Sequence, residues 1–242
     1  SEIDAFESFF ADIYDACERH DIAVDAAIAE NGSGQFEVNL MHCADPLKAA
    51  DDATFFKRFV KGIARKHGFA ASFMAKPYLA LAGSGLHVHF SILDTEGNNI
   101  FDNGGEEGTP AMLHAVNGLM EAMPESGLIF APHLNSYRRM APGAHAPTGI
   151  CWGYENRTAA IRIPGGPNKA RRIEHRVAGA DANPYLIMAA ALGAALEGIE
   201  AGRDPVDPIV GDAYSIEMAQ LPTDWGQAIS LFEQGKTNAA IY

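Results

Sequence analysis

The chain has 242 residues, 48% hydrophobic and 20% charged, which excludes a disordered or fibrous protein and leaves a globular one with a substantial core. A net charge of −13 excludes a general basic surface for nucleic acid, and no apolar run reads as a membrane span or signal peptide. Cys17, Cys43 and Cys151 stand far apart with no CxxC pair, which argues against structural zinc and for a reducing, cytoplasmic setting.

Ile3, Phe6, Phe10, Ile13, Tyr14 and Cys17 recur at helical spacing, so residues 3–20 read as an amphipathic helix. Residues 24–40 read as two strand arms around Asn31-Gly32-Ser33-Gly34, a hairpin turn signal. On the second arm Gln35, Glu37 and Asn39 face one way and Phe36, Val38 and Leu40 the other. Glu30 closes the first arm, so two carboxylates flank one tight turn. Asp45-Pro46 opens a helix with Phe55, Phe56, Phe59, Val60 and Ile63 as its expected buried face, stopping at Gly68. The spacing then predicts a strand over 69–75, leading through Lys76-Pro77 into Gly83-Ser84-Gly85-Leu86-His87-Val88-His89-Phe90-Ser91.

In that stretch His87, His89 and Ser91 share one face of a strand, and Leu86, Val88, Phe90 and Ile92 share the other. A lone His-x-His reads first as a solvated polar face. Two imidazoles aimed the same way also suit a metal or phosphate site, and flexible glycines let an anion approach the backbone. Thr109-Pro110 opens the next helix, with Met112, Val116, Leu119, Met120 and Met123 inside and Pro124 as its stop. Residues 130–148 read as an irregular loop carrying Arg138 and Arg139, of a length that is usually functional or disordered. Two strand-like segments follow. Arg162 lies between Ile161 and Ile163, and Arg172, Glu174 and Arg176 alternate with Ile173, His175 and Val177. Asn183-Pro184 opens an Ala-rich helix to Ala201, and residues 204–242 are proline-punctuated, then helical from Thr223. Gln234-Gly235-Lys236-Thr237 resembles the end of a P-loop, but Ser230 holds the leading glycine position and a helix precedes it.

Three polar strand faces therefore stand out: Gln35/Glu37/Asn39, His87/His89/Ser91 and Arg172/Glu174/Arg176. In one antiparallel sheet they would gather carboxylates, imidazoles and guanidiniums, an arrangement costly to bury unless paired or ion-bound. Carboxylate oxygens with one or two imidazoles suit Mg²⁺ or Mn²⁺ better than zinc or copper. Arginines aimed at the same place hold phosphate or carboxylate oxygens, and together these features point to phosphoryl transfer from a nucleotide.

The chain resembles the glutamine synthetase family. Glu30-Asn-Gly-Ser-Gly-Gln-Phe-Glu37 is similar to that family's E-x-G-x-G-Q-x-E turn, and Lys76-Pro77 with the Gly83–Ser91 stretch to its K-P…G-S-G-x-H-x-H-x-S signature. Asn135-Ser136-Tyr137-Arg138-Arg139, Asn156-Arg157-Thr158 with Arg162-Ile163-Pro164, Arg171-Arg172-Ile173-Glu174-His175-Arg176 and Ala182-Asn183-Pro184-Tyr185-Leu186 continue the likeness in order. It implies an α+β fold, a curved antiparallel sheet with flanking helices in a guanido-kinase-like half barrel. It implies that Glu30, Glu37, His87 and Glu174 bind Mg²⁺ or Mn²⁺ and that His89, Ser91, Arg162 and Arg172 contact ATP. Arg139, Arg157, Arg162 and Arg176, with Gly83 and Gly85, would hold glutamate and the transferring phosphate.

The resemblance further implies a homo-oligomeric ring, a dodecamer, and a ligase joining glutamate to an amine through γ-glutamyl phosphate. Residues 1–242 would be one catalytic domain truncated at both ends, lacking the β-grasp domain and the first catalytic strand, and inactive alone. His145 stands where ammonia-using members carry glutamate, and the wording around Phe36-Glu37-Val38-Asn39-Leu40 and Val177–Pro184 is most similar to the γ-glutamylpolyamine synthetase branch. An organic amine such as putrescine is therefore the expected substrate, with ordinary glutamine synthesis or a non-catalytic structural protein on the same fold as alternatives.

Overall fold

The computed structural model describes residues 3–141, 144 and 146–241. The chain divides into two compact units, residues 1–73 with 77–82, and residues 74–76 with 83–242.

In the first unit a 3₁₀ turn (Ile3–Phe6) leads into helix α1 (Glu7–Arg19), then the hairpin β1 (Val24–Ala29) and β2 (Phe36–Leu40), then helix α2 (Pro46–Lys66). Asp45 starts α2 as its sequence requires, accepting the Leu47 N–H at 2.8 Å through its carboxylate. Phe9, Phe10, Ile13, Cys17, Phe56 and Ile63 form the core, with Phe36, Val38 and Leu40 packed onto it. The register Ile28↔Glu37 sets Glu37 on the hairpin's other face, as the alternation predicts. Two expectations fail. Phe55 is 51% exposed, because it stacks along the helix on Phe59 beside the buried stripe rather than within it. Residues 69–75 form no strand. Ala71 and Phe73 do pack into this core, which produces the alternation, but no neighbouring strand offers that backbone a ladder.

The second unit holds strand β3 (Val88–Phe90), helix α3 (Pro110–Ala122), the one-turn helices α4 (Gly127–Phe130) and α5 (Ser136–Arg139), and strands β4 (Trp152–Tyr154), β5 (Ile161–Ile163) and β6 (Ile173–His175). Helices α6 (Pro184–Ala201), α7 (Trp225–Gln234) and α8 (Lys236–Ile241) follow, so the architecture is α+β. The sheet order is β3-β6-β5-β4, antiparallel except for the parallel β4–β5 pair. Strand β4 has no signal in the sequence. Three residues carry too little alternation, and the neighbouring chain holds them: Ile209 N–H donates to Trp152 O at 2.8 Å and Trp152 Nε1 to Val206 O at 2.7 Å.

Val88, Ile161, Ile163 and Ile173 cover one sheet face and join Met112, Val116, Leu119, Ile187 and Ala194 from α3 and α6 in the main core. Thr109 and Asn183 cap α3 and α6 by accepting backbone N–H groups of their first turns. By length and composition α6 could cross a membrane, against the expectation that no apolar run in the sequence reads as a span. One face of it, Ile187, Ala190, Ala191, Ala194, Ala195 and Gly198, is buried, and the helix packs against α3.

Asn238 ties α8 down. It is 3% exposed, accepts the Ser126 hydroxyl at 2.9 Å, and donates to Glu125 O at 2.7 Å. Truncation would leave both groups unpaired, so Asn238→Ala is expected to cost about 2 kcal/mol, read from the urea midpoint at unchanged slope.

Candidate active site

The polar face of the four-stranded sheet gathers most of the charged side chains that the sequence singles out. Strand β6 is internal, and the register sets Glu174 opposite His89 on one side and opposite Arg162 on the other. The alternating pattern in each strand sends all three to the face opposite the apolar core, where long side chains on adjacent strands meet.

Glu174 is the centre. Its side chain is only 3% exposed, with Arg162 Nη1 2.9 Å from Oε2 and Arg176 Nη1 hydrogen-bonded to Oε1. His87 Nδ1 and His89 Nε2 lie 3.3 and 3.7 Å from Oε1. Burial alone would raise this carboxyl's pKa. The His87 hydrogen bond and the charges of Arg176, His89 and His87 outweigh it and hold the group far below the usual carboxylate range. His89 also accepts from Arg172 Nε at 3.2 Å through Nδ1. Burial, with Arg172 and His87 nearby, lowers its pKa to about 4 against the pull of Glu174, so it is neutral at pH 7. His175, on the core face, packs 4.5 Å from the Phe130 ring, and burial lowers it to about 4 as well.

Arg139 is brought in by α5 and is 5% exposed. It donates to Val177 O at 2.6 Å and to Arg176 O at 3.4 Å. Gly83 and Gly85 make room for it. A Cβ at Gly83 would lie 2.7 Å from Ala75 O and 3.1 Å from Arg139 Cγ, and one at Gly85 2.8 Å from Arg139 Nη2 and 3.2 Å from His87 Nε2. Asn135 anchors the same loop, accepting Lys76 N–H at 3.0 Å and donating to Lys76 O at 2.9 Å.

The structure thus brings together His87, His89, Arg162, Glu174 and Arg176, with Arg139 bonded behind them and Arg172 on His89. Arg157 is exposed, and its carbonyl accepts from Arg176 Nη2 at 3.0 Å. Ser91 is exposed just beyond β3. Glu30 and Glu37 belong to the first unit, where Glu30 N–H donates to Gln35 O at 2.9 Å to close the turn and Glu37 is half-buried on β2. His145 lies outside the described residues.

Two participants were not legible in the sequence. Glu155 has φ +51°, bonds Gly165 N–H and stands 3.3 Å from Arg162 Nη2, on a loop after the unpredicted β4. Arg171, in the same motif as Arg172, is structural: it is buried and donates to Glu106 O at 2.6 Å, holding the loop before α3.

Among the described residues no group of three or more His, Cys, Asp or Glu forms a metal-ligand cluster. The donor chemistry nonetheless fits a hard cation in part. Glu174 Oε1 and His87 Nδ1 are 3.3 Å apart. Adjacent ligands of an octahedral ion with bonds of about 2.1 Å would be about 3 Å apart.

The sequence pattern described as "Glutamine synthetase, catalytic domain" matches residues 1–241. The gamma-glutamylputrescine synthetase PuuA of Escherichia coli (strain K12) is 40% identical over 94% of this chain and 48% of its own length. The glutamate–isopropylamine ligase of a Pseudomonas species is 39% identical over 91% of this chain and 49% of its own. A solved GmaS/ADP complex superposes with a TM-score of 0.89 at 35% identity, covering 98% of this chain and 57% of that one. The chain thus spans about half the length of the curated relatives it matches.

Proposed function

This chain belongs to the glutamine synthetase catalytic-domain family, and from that premise we propose that its protein uses ATP to join an amine to the γ-carboxylate of glutamate. A γ-carboxylate oxygen attacks the terminal phosphorus of ATP, the bond to the bridging oxygen breaks, and ADP leaves. The amine then attacks the carbonyl carbon of γ-glutamyl phosphate, loses a proton and expels phosphate. Such a reaction needs positioning and charge neutralisation more than covalent help from side chains.

The observation that carries this reading is the shell of two cationic guanidiniums and two imidazoles around Glu174. In the proposed roles, Arg139, Arg157, Arg162 and Arg176 hold glutamate and the phosphoryl group. His89, Ser91 and Arg172 hold the nucleotide, and Gly83 and Gly85 keep the approach open. Glu30, Glu37, His87 and Glu174 would hold Mg²⁺ or Mn²⁺, which when bound neutralises phosphate oxygens. The same reading makes the working protein a homo-oligomeric ring.

The proposed amine is organic. Both curated relatives described above are named for organic amines, putrescine and isopropylamine. In this chain His145 also replaces the glutamate that ammonia-using family members carry. A carboxylate attracts ammonium and accepts its proton, whereas a neutral imidazole offers no fixed charge. An alkylamine has carbon surface to bind by and tolerates the loss. Steady-state kcat/KM of the full-length protein for putrescine, methylamine and ammonium, with glutamate and ATP, tests both levels. An organic amine should win in wild type, and His145→Glu should shift the ratio toward ammonium by about tenfold or more. Best use of ammonium by wild type, with the ratio unmoved in the variant, would replace this specificity with glutamine synthesis. No amine-dependent ADP release with any amine would remove the ligase reading itself.

A further inference from the structure

Arg139 has nearly all of its surface buried, yet no carboxylate among the described residues forms an ion pair with it. Its charge is opposed by burial and by Arg176, and the carboxylate that supports it is Asp181. Asp181 sits between β6 and α6, and the sequence by itself gives this residue no role. Its Oδ2 accepts the Ser136 hydroxyl at 2.6 Å and stands 3.3 Å from His133 Nδ1, while the buried Oδ1 has no hydrogen-bond partner among the described residues. Ser136 is 2% exposed and is the first residue of α5, the turn that ends in Arg139. Gly179 leaves room for this carboxylate, since a Cβ there would lie 2.4 Å from Oδ1. The chain just before Asp181 is bonded on both sides: Gly179 N–H to Phe130 O at 3.0 Å, Ala180 N–H to Ser84 O at 3.0 Å, and Leu86 N–H to Ala178 O at 2.9 Å. A carboxylate mounted there is held in place from both sides.

We propose that Asp181, through Ser136 and its own charge, is a positioning residue that holds α5 so that Arg139 stays seated beside Gly83 and Gly85. That placement matters for glutamate only if Arg139 binds substrate, so the kinetic consequence rests on the function proposed above. The placement itself does not. Asp181→Asn keeps an oxygen for Ser136 and loses the charge, Asp181→Ala loses both, and Ser136→Ala keeps the charge but loses this hydrogen bond together with the one its hydroxyl accepts from the His133 N–H at 3.1 Å.

Two readouts separate the levels. The first is the rate at which phenylglyoxal labels Arg139 in the purified protein, mapped by mass spectrometry, with buried Arg171 as the internal reference. Asp181→Ala should speed Arg139 labelling several-fold and leave Arg171 unchanged. The second is steady-state kinetics, where Asp181→Ala should raise KM for glutamate about tenfold, with KM for ATP moving less than about twofold and Asp181→Asn falling between. In an Arg139→Lys background Asp181→Asn should add less than about twofold, because the two act as one unit. Unchanged Arg139 labelling, or labelling of Arg139 and Arg171 rising together, would overturn the proposal. So would a rise in both KM values that follows the loss of melting temperature. Faster Arg139 labelling with an unmoved glutamate KM would uphold the positioning role and overturn the substrate role of Arg139.

Discussion

Glu174→Gln is expected to lower kcat/KM by about a thousandfold or more and to destabilise the fold. The amide keeps the shape and removes one negative charge from a site where Arg162 and Arg176 both bond to it. Removing one partner of a buried ion pair leaves the other uncompensated and costs about 3 kcal/mol, more than an exposed pair would. Retention of a tenth of wild-type turnover would deny Glu174 its place in the chemistry. The acid limb of stability supplies an independent check. The folded-state pKa of Glu174 is depressed, so its contribution is fully present above the unfolded-state value of about 4.3 and is lost as pH falls below it. Wild type should therefore lose stability steeply below about pH 4, and Glu174→Gln should flatten that limb. Denaturant midpoints between pH 3 and pH 7 for both proteins measure the difference.

Gly118→Ala should be the most damaging single-methyl change in the core. Helices α3 and α6 cross backbone to backbone at Gly118 and Gly198. A Cβ on Gly118 would fall 2.1 Å from Ala194 O, and one on Gly198 would fall 2.2 Å from His114 O. Neither obstacle is a side chain that can turn aside, so the helices must separate and the surrounding core must loosen. Overpacking of this kind costs about 3 kcal/mol, or about 6–12 °C in melting temperature for a chain of this size. Gly62→Ala in α2 is the contrast, because nothing stands within 4 Å of its added Cβ. Relief of glycine's backbone entropy there should raise stability by about 0.5–1 kcal/mol. Thermal unfolding of the three proteins side by side distinguishes close helix contact from a general intolerance of substitution.

Helix starts were legible because their determinants lie within four residues. Asp45-Pro46, Thr109-Pro110 and Asn183-Pro184 each supply a side-chain acceptor for the first turn and a proline whose missing N–H costs nothing there. The faces of β3, β5 and β6 were legible for a similar reason, since alternation alone decides which side chains point together. That sorting put His87 and His89 on one strand face, and Arg172, Glu174 and Arg176 on another, and the motif order around them resembled one family.

Tertiary structure decided what alternation cannot express. The register His89↔Glu174 and Arg162↔Glu174 joins residues 85 and 12 positions apart, and it follows from which strands pair. Residues 69–75 and β4 show the two sides of that rule: the first alternates without a ladder partner, and the second has a partner without alternating. Adjacent Arg171 and Arg172 diverge because only the first reaches the carbonyls of Gly105 and Glu106. Asp181 reads as an ordinary loop residue until Ser136, 45 positions away, is folded against it. Local hydrogen bonding and side-chain direction are properties of a few consecutive residues. A ladder partner, a burial depth and a counter-charge are properties of whatever packing brings alongside.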